Sequence, residues 1–434
     1  MRPSGGVEGR GSGAIYRRWA VVLLALVYVV NYLDRQVLAI LLEPIKQEFR
    51  VSDSALGLLV GPTFALFYAT LGLPLAWVAD RCNRRNLIAA CVALFSVTTL
   101  LCGMAAHFWQ LILARIGTGI GEAGTGPSSQ TIIADLYPPQ RRAAAQSVYA
   151  AGVNVGLMIA FFGGAWIAQR HGWRAAFAMA ALPGLLLALL VRFTLKEPAR
   201  GASESLPDAG APALRETVAF MRSQRAYRYI VAGTSMSAFS GYGMTAFIPA
   251  FLARSHQLSL AEIGFALAMV LGIGGGLATL ASGMCADGLA KRDPRWALWV
   301  PALAAAVSLP FWPVFLLWPT ATGTVLAGIL PLALSAAWMG PCIATIQGLA
   351  PLRMRAQAAA AQLFIGNLIG LGIGPQVVGI ASDLLQPSYG SDSLRYALFT
   401  CVLASALSAM FYFTASRTLR GDLARAQSHS TAGS

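Results

Sequence analysis

The stretch Trp19-Ala-Val-Val-Leu-Leu-Ala-Leu-Val-Tyr-Val-Val-Asn31-Tyr32-Leu33-Asp34-Arg35-Gln-Val-Leu-Ala-Ile-Leu-Leu42 decides how the rest of the chain is read. It is apolar for long enough to cross a bilayer, which takes ~20 helical residues, yet Asp34 and Arg35 lie inside it. A charge at that depth costs at least ~2.5 kcal/mol on insertion scales, so ionisable residues there face a protein interior or a water-filled cavity. The pair therefore marks a candidate pathway.

Bulk composition agrees. Of the 434 residues, 56% are hydrophobic and 12% charged, whereas a soluble domain carries about 25% charged residues. The net charge of +14 does not point to nucleic acid, because the arginines fall in short clusters between apolar runs. With the N-terminus cytoplasmic, ~24 Lys and Arg lie in inner loops and tails, among them Arg17, Arg18, Arg141 and Arg142, and about six outside, among them Lys46, Arg50 and Arg254. This predicts a multi-pass protein of the cell inner (cytoplasmic) membrane with both termini cytoplasmic. The six cysteines are dispersed without metal-ligand spacing and read as small core residues. The first fourteen residues lack the short apolar core and cleavage site of a signal peptide, so Trp19 onward reads as a retained span.

Twelve such segments follow, at about 17–42, 54–79, 86–106, 109–135, 143–168, 174–195, 227–253, 260–286, 295–317, 321–349, 355–384 and 394–416. The expected fold is an all-α polytopic membrane protein of two pseudo-symmetric six-helix bundles. The domains read as a disordered cytoplasmic tail (1–16), an N-terminal bundle (17–195), a cytoplasmic linker (196–226), a C-terminal bundle (227–417) and a cytoplasmic tail (418–434), with order fading after Leu419. The linker's later part, Leu214 to Arg228, is basic and reads as a short helix on the inner membrane surface.

The halves repeat. Ser52, Gly57 and Asp80, followed by Arg84 and Arg85, recur about 207 positions later as Ser259, Gly264 and Asp287, followed by Lys291 and Arg292. Arg142, Ala143 and Asn154 recur about 213 later as Arg355, Ala356 and Asn367. A duplicated unit of one orientation implies bundles related by an axis along the membrane normal, with a site near the midplane. Glycine pairs such as Gly117 and Gly121, or Gly152 and Gly156, have the small-xxx-small spacing of closely packed helices.

The loop Asp80-Arg81-Cys82-Asn83-Arg84-Arg85 resembles the signature of the major facilitator superfamily: a glycine four residues before an Asp, then a basic residue, a further glycine and a basic pair. The chain departs from it at Ala76 and Asn83, and Asn best tolerates a left-handed turn among non-glycine residues. An Asp at a helix end beside several cations can bridge helix ends, which makes Asp80, Arg81, Arg84, Arg85 and Asp287 the expected cytoplasmic gate; the other reading is a loop of topogenic arginines.

The fourth span carries Arg115-Ile-Gly117-Thr-Gly119-Ile-Gly121-Glu122. With Asn31-Tyr-Leu-Asp34-Arg35 and the loop above, it is similar to the spinster-like branch of that superfamily. The resemblance implies lysolipid or sphingolipid export and makes Asn31, Asp34, Arg35, Arg115 and Glu122 the substrate or coupling residues. Gly119-x-Gly121-x-x-Gly124 also satisfies the dinucleotide fingerprint, but it lies in an apolar helix without the preceding strand that fingerprint needs.

Depth arithmetic brings these charges together. At ~1.5 Å per residue Asp34 and Arg115 lie at similar depth, and Glu122 is about two turns deeper on nearly the same face as Arg115. Adjacent Asp34 and Arg35 point ~100° apart, so one of them can be purely structural; Asp34 is the expected substrate or proton contact and Arg35 its anchor. A buried ion-pair cluster that only ties helices together is the competing reading. The second half places Phe239, Tyr242, Trp338 and Phe364 in its spans with hardly any charge, an expected apolar side of the cavity.

A headgroup on charged residues and a tail on apolar ones describe an amphipathic small molecule or lysolipid moved by alternating access, with protons as the one candidate coupling ion and no cofactor or metal. The expected unit is a monomer in the lipid bilayer. A multidrug or organic-anion exporter of the same fold is the alternative, and a non-transporting sensor a remote one. The four histidines lie near span ends or in the tail and no nucleophile motif is present, so an enzyme is not expected.

Overall fold

A computed structural model of the chain describes residues 8–79, 81–199, 214–351 and 354–431. Every regular element among them is helical. The first half comprises α1 (Glu8–Phe49), α2 (Asp53–Val60), α3 (Pro62–Ala79), α4 (Arg84–Gly103), α5 (Phe108–Ala123), α6 (Thr125–Leu136), α7 (Pro139–Met158), α8 (Ala165–His171) and α9 (Trp173–Thr194). After a linker helix α10 (Leu214–Ser223) come α11 (Arg225–His256), α12 (Leu260–Leu267), α13 (Gly275–Ala290), α14 (Trp296–Ser308), α15 (Phe311–Leu317), α16 (Ala321–Leu334), α17 (Met339–Leu349), α18 (Arg355–Gly366), α19 (Gly374–Tyr389), α20 (Ser393–Ala397) and α21 (Phe399–Thr431).

Each of the twelve expected spans falls on helix. Ten uninterrupted stretches among the described residues are long and apolar enough to cross a membrane. Two effects lower that number: the fourth span divides at Gly124 into pieces of 16 and 12 residues, and the last two run together as Gln357–Arg425. Exposed apolar stripes face outward at helical spacing, Leu94, Val97 and Leu101 on α4 and Leu182, Leu186, Leu189 and Phe193 on α9. Such surfaces are untenable in water and natural against lipid tails.

The internal repeat is written into the helix irregularities. Arg50 and Gln257, about 207 positions apart, are the only non-glycine residues with positive φ among those described, at 51° and 54°. Each ends a long helix containing a proline, Pro44 or Pro249. The next helix then starts at a serine N-cap, Ser52 or Ser259, whose hydroxyl accepts from a backbone N–H three residues on. Span two breaks at Gly61, and span eight has a π-helical turn at Ala268–Gly274. Spans five and eleven carry matching π-helical turns, Ile159–Gly164 and Asn367–Ile373. Such turns re-aim side chains and are frequent at functional sites.

Contacts divide the chain into two compact units, Met1–Leu38 with Phe67–Pro207, and Ala39–Leu66 with Asp208–Ser434. The first packs around Leu23, Leu24 and Val27 of α1, Val92 and Phe95 of α4, Ile132 and Ile133 of α6, and Val191 of α9. The second packs around Ile230, Leu298, Ile346 and Tyr412. Residues 39–66 thus group with the second unit, although the span reading assigned them to the first bundle. The reason is a close helix approach: a Cβ on Gly57 would lie 2.6 Å from the Pro375 carbonyl oxygen, and one on Gly61 would lie 2.6 Å from that of Gly372.

Three further boundaries differ from the sequence reading. α10 stops at Ser223, because Gln224 turns extended (φ −85°, ψ 112°), and it buries Thr217 and Met221 against the second unit. α21 continues beyond Leu419, where Asp422 is fully buried and accepts from the Ala226 N–H at 2.7 Å, capping α11. Likewise α1 begins at Glu8, within the stretch read as a disordered tail.

Candidate functional site

The four charges of the first half meet as two ion pairs, both within the first unit. Arg115 Nη1 donates to Asp34 Oδ2 at 3.0 Å, and the Thr99 hydroxyl donates to the other oxygen of the same carboxylate. Arg35 Nε donates to Glu122 Oε2 at 2.5 Å. The ~100° between successive residues of α1 sends Asp34 toward one turn of α5 and Arg35 toward another. Arg115 and Glu122, seven residues apart, are both buried on α5, with Thr118 between them on the same side. Asn31 Nδ2 donates to Thr125 Oγ1 at 2.8 Å, and that hydroxyl donates to the Glu122 carbonyl.

Small residues make this possible. A Cβ on Gly121 would lie 2.7 Å from the Phe95 backbone nitrogen, and one on Gly156 would lie 2.6 Å from the Val29 carbonyl oxygen. α5 is therefore seated on α4, and α7 on α1, at backbone distance. The second contact carries Tyr149 onto Tyr28, their rings stacked at 4.4 Å.

The two pairs differ in character. Asp34 and Arg115 have side chains 1% and 2% exposed, and Asp34 has both carboxylate oxygens engaged. Around Arg35 stands a group that sequence reasoning missed. Its guanidinium carbon lies 4.4 Å from the Tyr68 ring centre and 5.4 Å from that of Tyr32, which in turn meets Tyr28 edge-on at 5.2 Å. Glu122 Oε1 and Asn31 Oδ1 are buried without a hydrogen-bond partner among the described residues. The sequence signal was present, since Tyr28, Tyr32 and Arg35 recur every three or four residues on one helix, but Tyr68 and Tyr149 join only through packing.

Of the expected cytoplasmic gate, Asp80 lies outside the described residues. Arg84 is a buried hub of the first unit: Nη1 reaches Asp135 at 2.6 Å, Nε reaches Glu197 at 2.7 Å and Nη2 donates to the Pro198 carbonyl. The Arg85 backbone N–H also donates to Glu197. Arg81 instead lies on the Trp77 ring at 3.9 Å, and Asp287 is exposed with no ion pair among the described residues. Asn83 is not left-handed (φ −70°); it caps α4 through the Asn86 N–H.

The four residues expected on the apolar side all lie in the second unit. Phe239, Tyr242 and Phe364 are half-buried in the second unit. Trp338 lines a cavity of about 30 Å³, room for a water molecule or two. Its wall includes Trp312 and the serines 240, 308, 405 and 408, so it is neutral but rich in hydroxyls.

A second ionic cluster, unforeseen from sequence, sits within the second unit. Asp53 at the start of α2 accepts two bonds from Arg254, both at 2.8 Å, one from Lys46 at 2.7 Å and one from the Ser382 hydroxyl at 2.7 Å. Arg254 also binds Glu43 at 2.6 Å. The Asp383 carboxylate accepts the Asp53 and Ser54 N–H groups at 2.9 Å each, where the positive end of α2 favours an anion.

Comparison with known proteins places this architecture. Residues 24–375 match the Major Facilitator Superfamily. The chain is 36% identical to an MFS-type efflux pump of Mycolicibacterium smegmatis over 413 residues, 94% of each protein. It is 28% identical to protein spinster homolog 1 of Rattus norvegicus over 441 residues, covering 94% of this chain and 82% of that one. The crystal structure of a bacterial homolog of the human lysosomal transporter spinster, inward-facing and unoccupied, superposes with a TM-score of 0.86 at 30% identity, over 94% of this chain and 98% of that one. With two buried ion pairs inside a duplicated helical membrane fold, the chain belongs to the major facilitator superfamily as a spinster-like transporter.

Proposed function

We propose that the protein moves an amphipathic solute, a lysolipid or sphingolipid-like molecule, across the inner membrane by alternating access, with both termini cytoplasmic and the monomer as the working unit. The observation that carries this reading is the asymmetry of its polar groups. The first unit buries two carboxylates and two guanidiniums at span depth, while the cavity in the second is neutral. Polar groups so placed suit a headgroup, and membrane-depth charges mark transport or proton pathways. Proton coupling belongs to the same proposal: Glu122 and Asp34 are the two buried carboxylates whose protonation would release their arginines.

The test is flux of a lysolipid panel in proteoliposomes, with and without a pH gradient. Accumulation of at least one lysolipid above empty liposomes is expected, enhanced by the gradient. No flux of any lysolipid would overturn the cargo assignment, and gradient-independent flux would remove the proton. A multidrug exporter of the same fold is the second reading, favoured by the likeness to the mycobacterial efflux pump; efflux of cationic dyes without lysolipid flux would establish it.

A further inference from the structure

The cavity beside Trp338 lies where two spans of the second unit lose regular helix. Span nine passes from α14 to α15 between Ser308 and Phe311, and span ten from α16 to α17 between Leu334 and Met339. Residues at these breaks, Ser308, Trp312, Leu334 and Ser335, stand in the cavity wall. The backbone there makes tighter turn bonds, from the Leu309 N–H to the Ala306 carbonyl at 3.2 Å and from the Ala337 N–H to the Leu334 carbonyl at 3.0 Å. Pro301 and Pro331 also line the cavity, and a proline inside a helix frees the carbonyl four residues before it. At membrane depth such breaks are tolerated where water or a neighbouring helix answers the freed groups.

The wall specifies its ligand. Trp312 Nε1 is buried without a hydrogen-bond partner among the described residues, and an indole N–H can only donate. Ser308, Ser335 and Ser408 give their protons to carbonyls of their own spans, those of Ala304, Leu332 and Ser405, so each hydroxyl oxygen is left to accept. No charged residue lines the cavity. A fitting ligand is therefore neutral, accepts from the indole and donates to hydroxyls. A volume of about 30 Å³ takes a water molecule or two and leaves no room for a hydrocarbon chain.

We propose that this cavity is a water-binding site, whose ordered waters accept from Trp312 Nε1 and donate to the serine hydroxyls, joining the broken middles of spans nine and ten to spans seven and twelve. The internal repeat gives the site its meaning. In the first unit, spans one, three and four supply Asp34, Thr99 and Arg115 to a buried ionic core; their repeat partners, spans seven, nine and ten, supply the wall of this cavity. Span four breaks at Gly124, about 213 positions before the break of span ten. The equivalent polar core is ion-paired in one unit and hydrated in the other, and held water lets spans nine and ten bend without stranding backbone groups. The inference goes beyond the transport reading and does not depend on the cargo.

The test is brief X-ray radiolysis of the full-length protein in lipid nanodiscs, with side-chain oxidation read by mass spectrometry. Radiolysis splits bound water where it sits, so the hydroxyl radical reaches a buried neighbour that bulk radicals miss. Trp312, 2% exposed, should be oxidised at least about fivefold faster than Trp173 of the first unit, which is 5% exposed. Equal or slower oxidation of Trp312 overturns the proposal, and that comparison needs no variant to fold. After rapid mixing into oxygen-18 water, Trp312 should still take up the ordinary isotope from held waters. Uptake of oxygen-18 as fast as at the exposed Trp109 would mean an open route from bulk and would overturn it too. Ser405→Val puts methyl groups where a hydroxyl lined the cavity and should slow Trp312 oxidation by about threefold; a folded variant with an unchanged rate would remove the serines from the site and sink the bridge they are assigned.

Discussion

Replacing Asp53 by Asn keeps the shape of the side chain and removes its charge. Asp53 and Arg254 share two parallel N–H···O bonds of 2.8 Å, with side chains 3% and 12% exposed. At an effective dielectric constant of ~20, unit charges ~4 Å apart attract by about 4 kcal/mol. Breaking a buried pair from one side typically costs 3–5 kcal/mol, because the other charge is stranded. Arg254 is not wholly stranded, since Glu43 still binds it at 2.6 Å, so Asp53→Asn is expected to lose about 2–3 kcal/mol, below that range. Lys46 bonds the same carboxylate at 2.7 Å, but its side chain is 29% exposed, and Lys46→Gln should lose no more than ~1 kcal/mol. Reversible unfolding in mixed micelles, read as a double-mutant cycle of Asp53→Asn with Arg254→Gln, should show a coupling of about 2 kcal/mol. A coupling near zero, or equal losses for Asp53→Asn and Lys46→Gln, would refute the premise that burial sets the strength of this cluster.

Three other outcomes follow from the same geometry. Arg84→Ala removes a buried hub with three partners and should destabilise by about 3 kcal/mol, while Arg85→Ala, whose half-buried side chain bonds the neighbouring Asn86, should stay within ~0.5 kcal/mol; thermal unfolding that ranks them the other way would refute Arg84 as the hub. Gly57→Ala forces a Cβ to within 2.6 Å of the Pro375 carbonyl and should cost about 1–3 kcal/mol, whereas Gly72→Ala, with nothing within 4 Å, should be neutral or slightly stabilising. Asp34→Asn strands Arg115 in a site 2% exposed and should lower both stability, by about 3–5 kcal/mol, and transport; Glu122→Gln leaves Arg35 against the tyrosine rings and should impair transport with the fold preserved. Full flux by a well-folded Glu122→Gln protein would exclude the Arg35 pair from the mechanism.

Particular residues show where reading along the chain succeeds. Asp34 and Arg115 meet because helical rise alone puts them at one depth, a one-dimensional calculation. The recurrence of Ser52 as Ser259 reappears as paired N-caps after paired left-handed residues, because turn chemistry is local. The same locality misled at Asn83, where a capping role satisfied the backbone without a left-handed turn. Asp53 was invisible as a hub because its partners lie at Lys46, Arg254 and Ser382, and no spacing rule spans 201 or 329 positions. The hydroxyl-rich wall of the cavity beside Trp338 was not legible along the chain, because serines 240, 308, 405 and 408 arrive from three different helices.

Length, hydropathy, charge placement and internal duplication were therefore decided by the sequence alone, since insertion into a bilayer responds to the chain one segment at a time. Which carboxylate pairs with which arginine, which tyrosines close on Arg35 and which glycines let α2 lie against α19 were decided only in the tertiary structure. Those choices depend on the azimuths of helices that touch, and azimuth between separate helices is set by packing rather than by order along the chain.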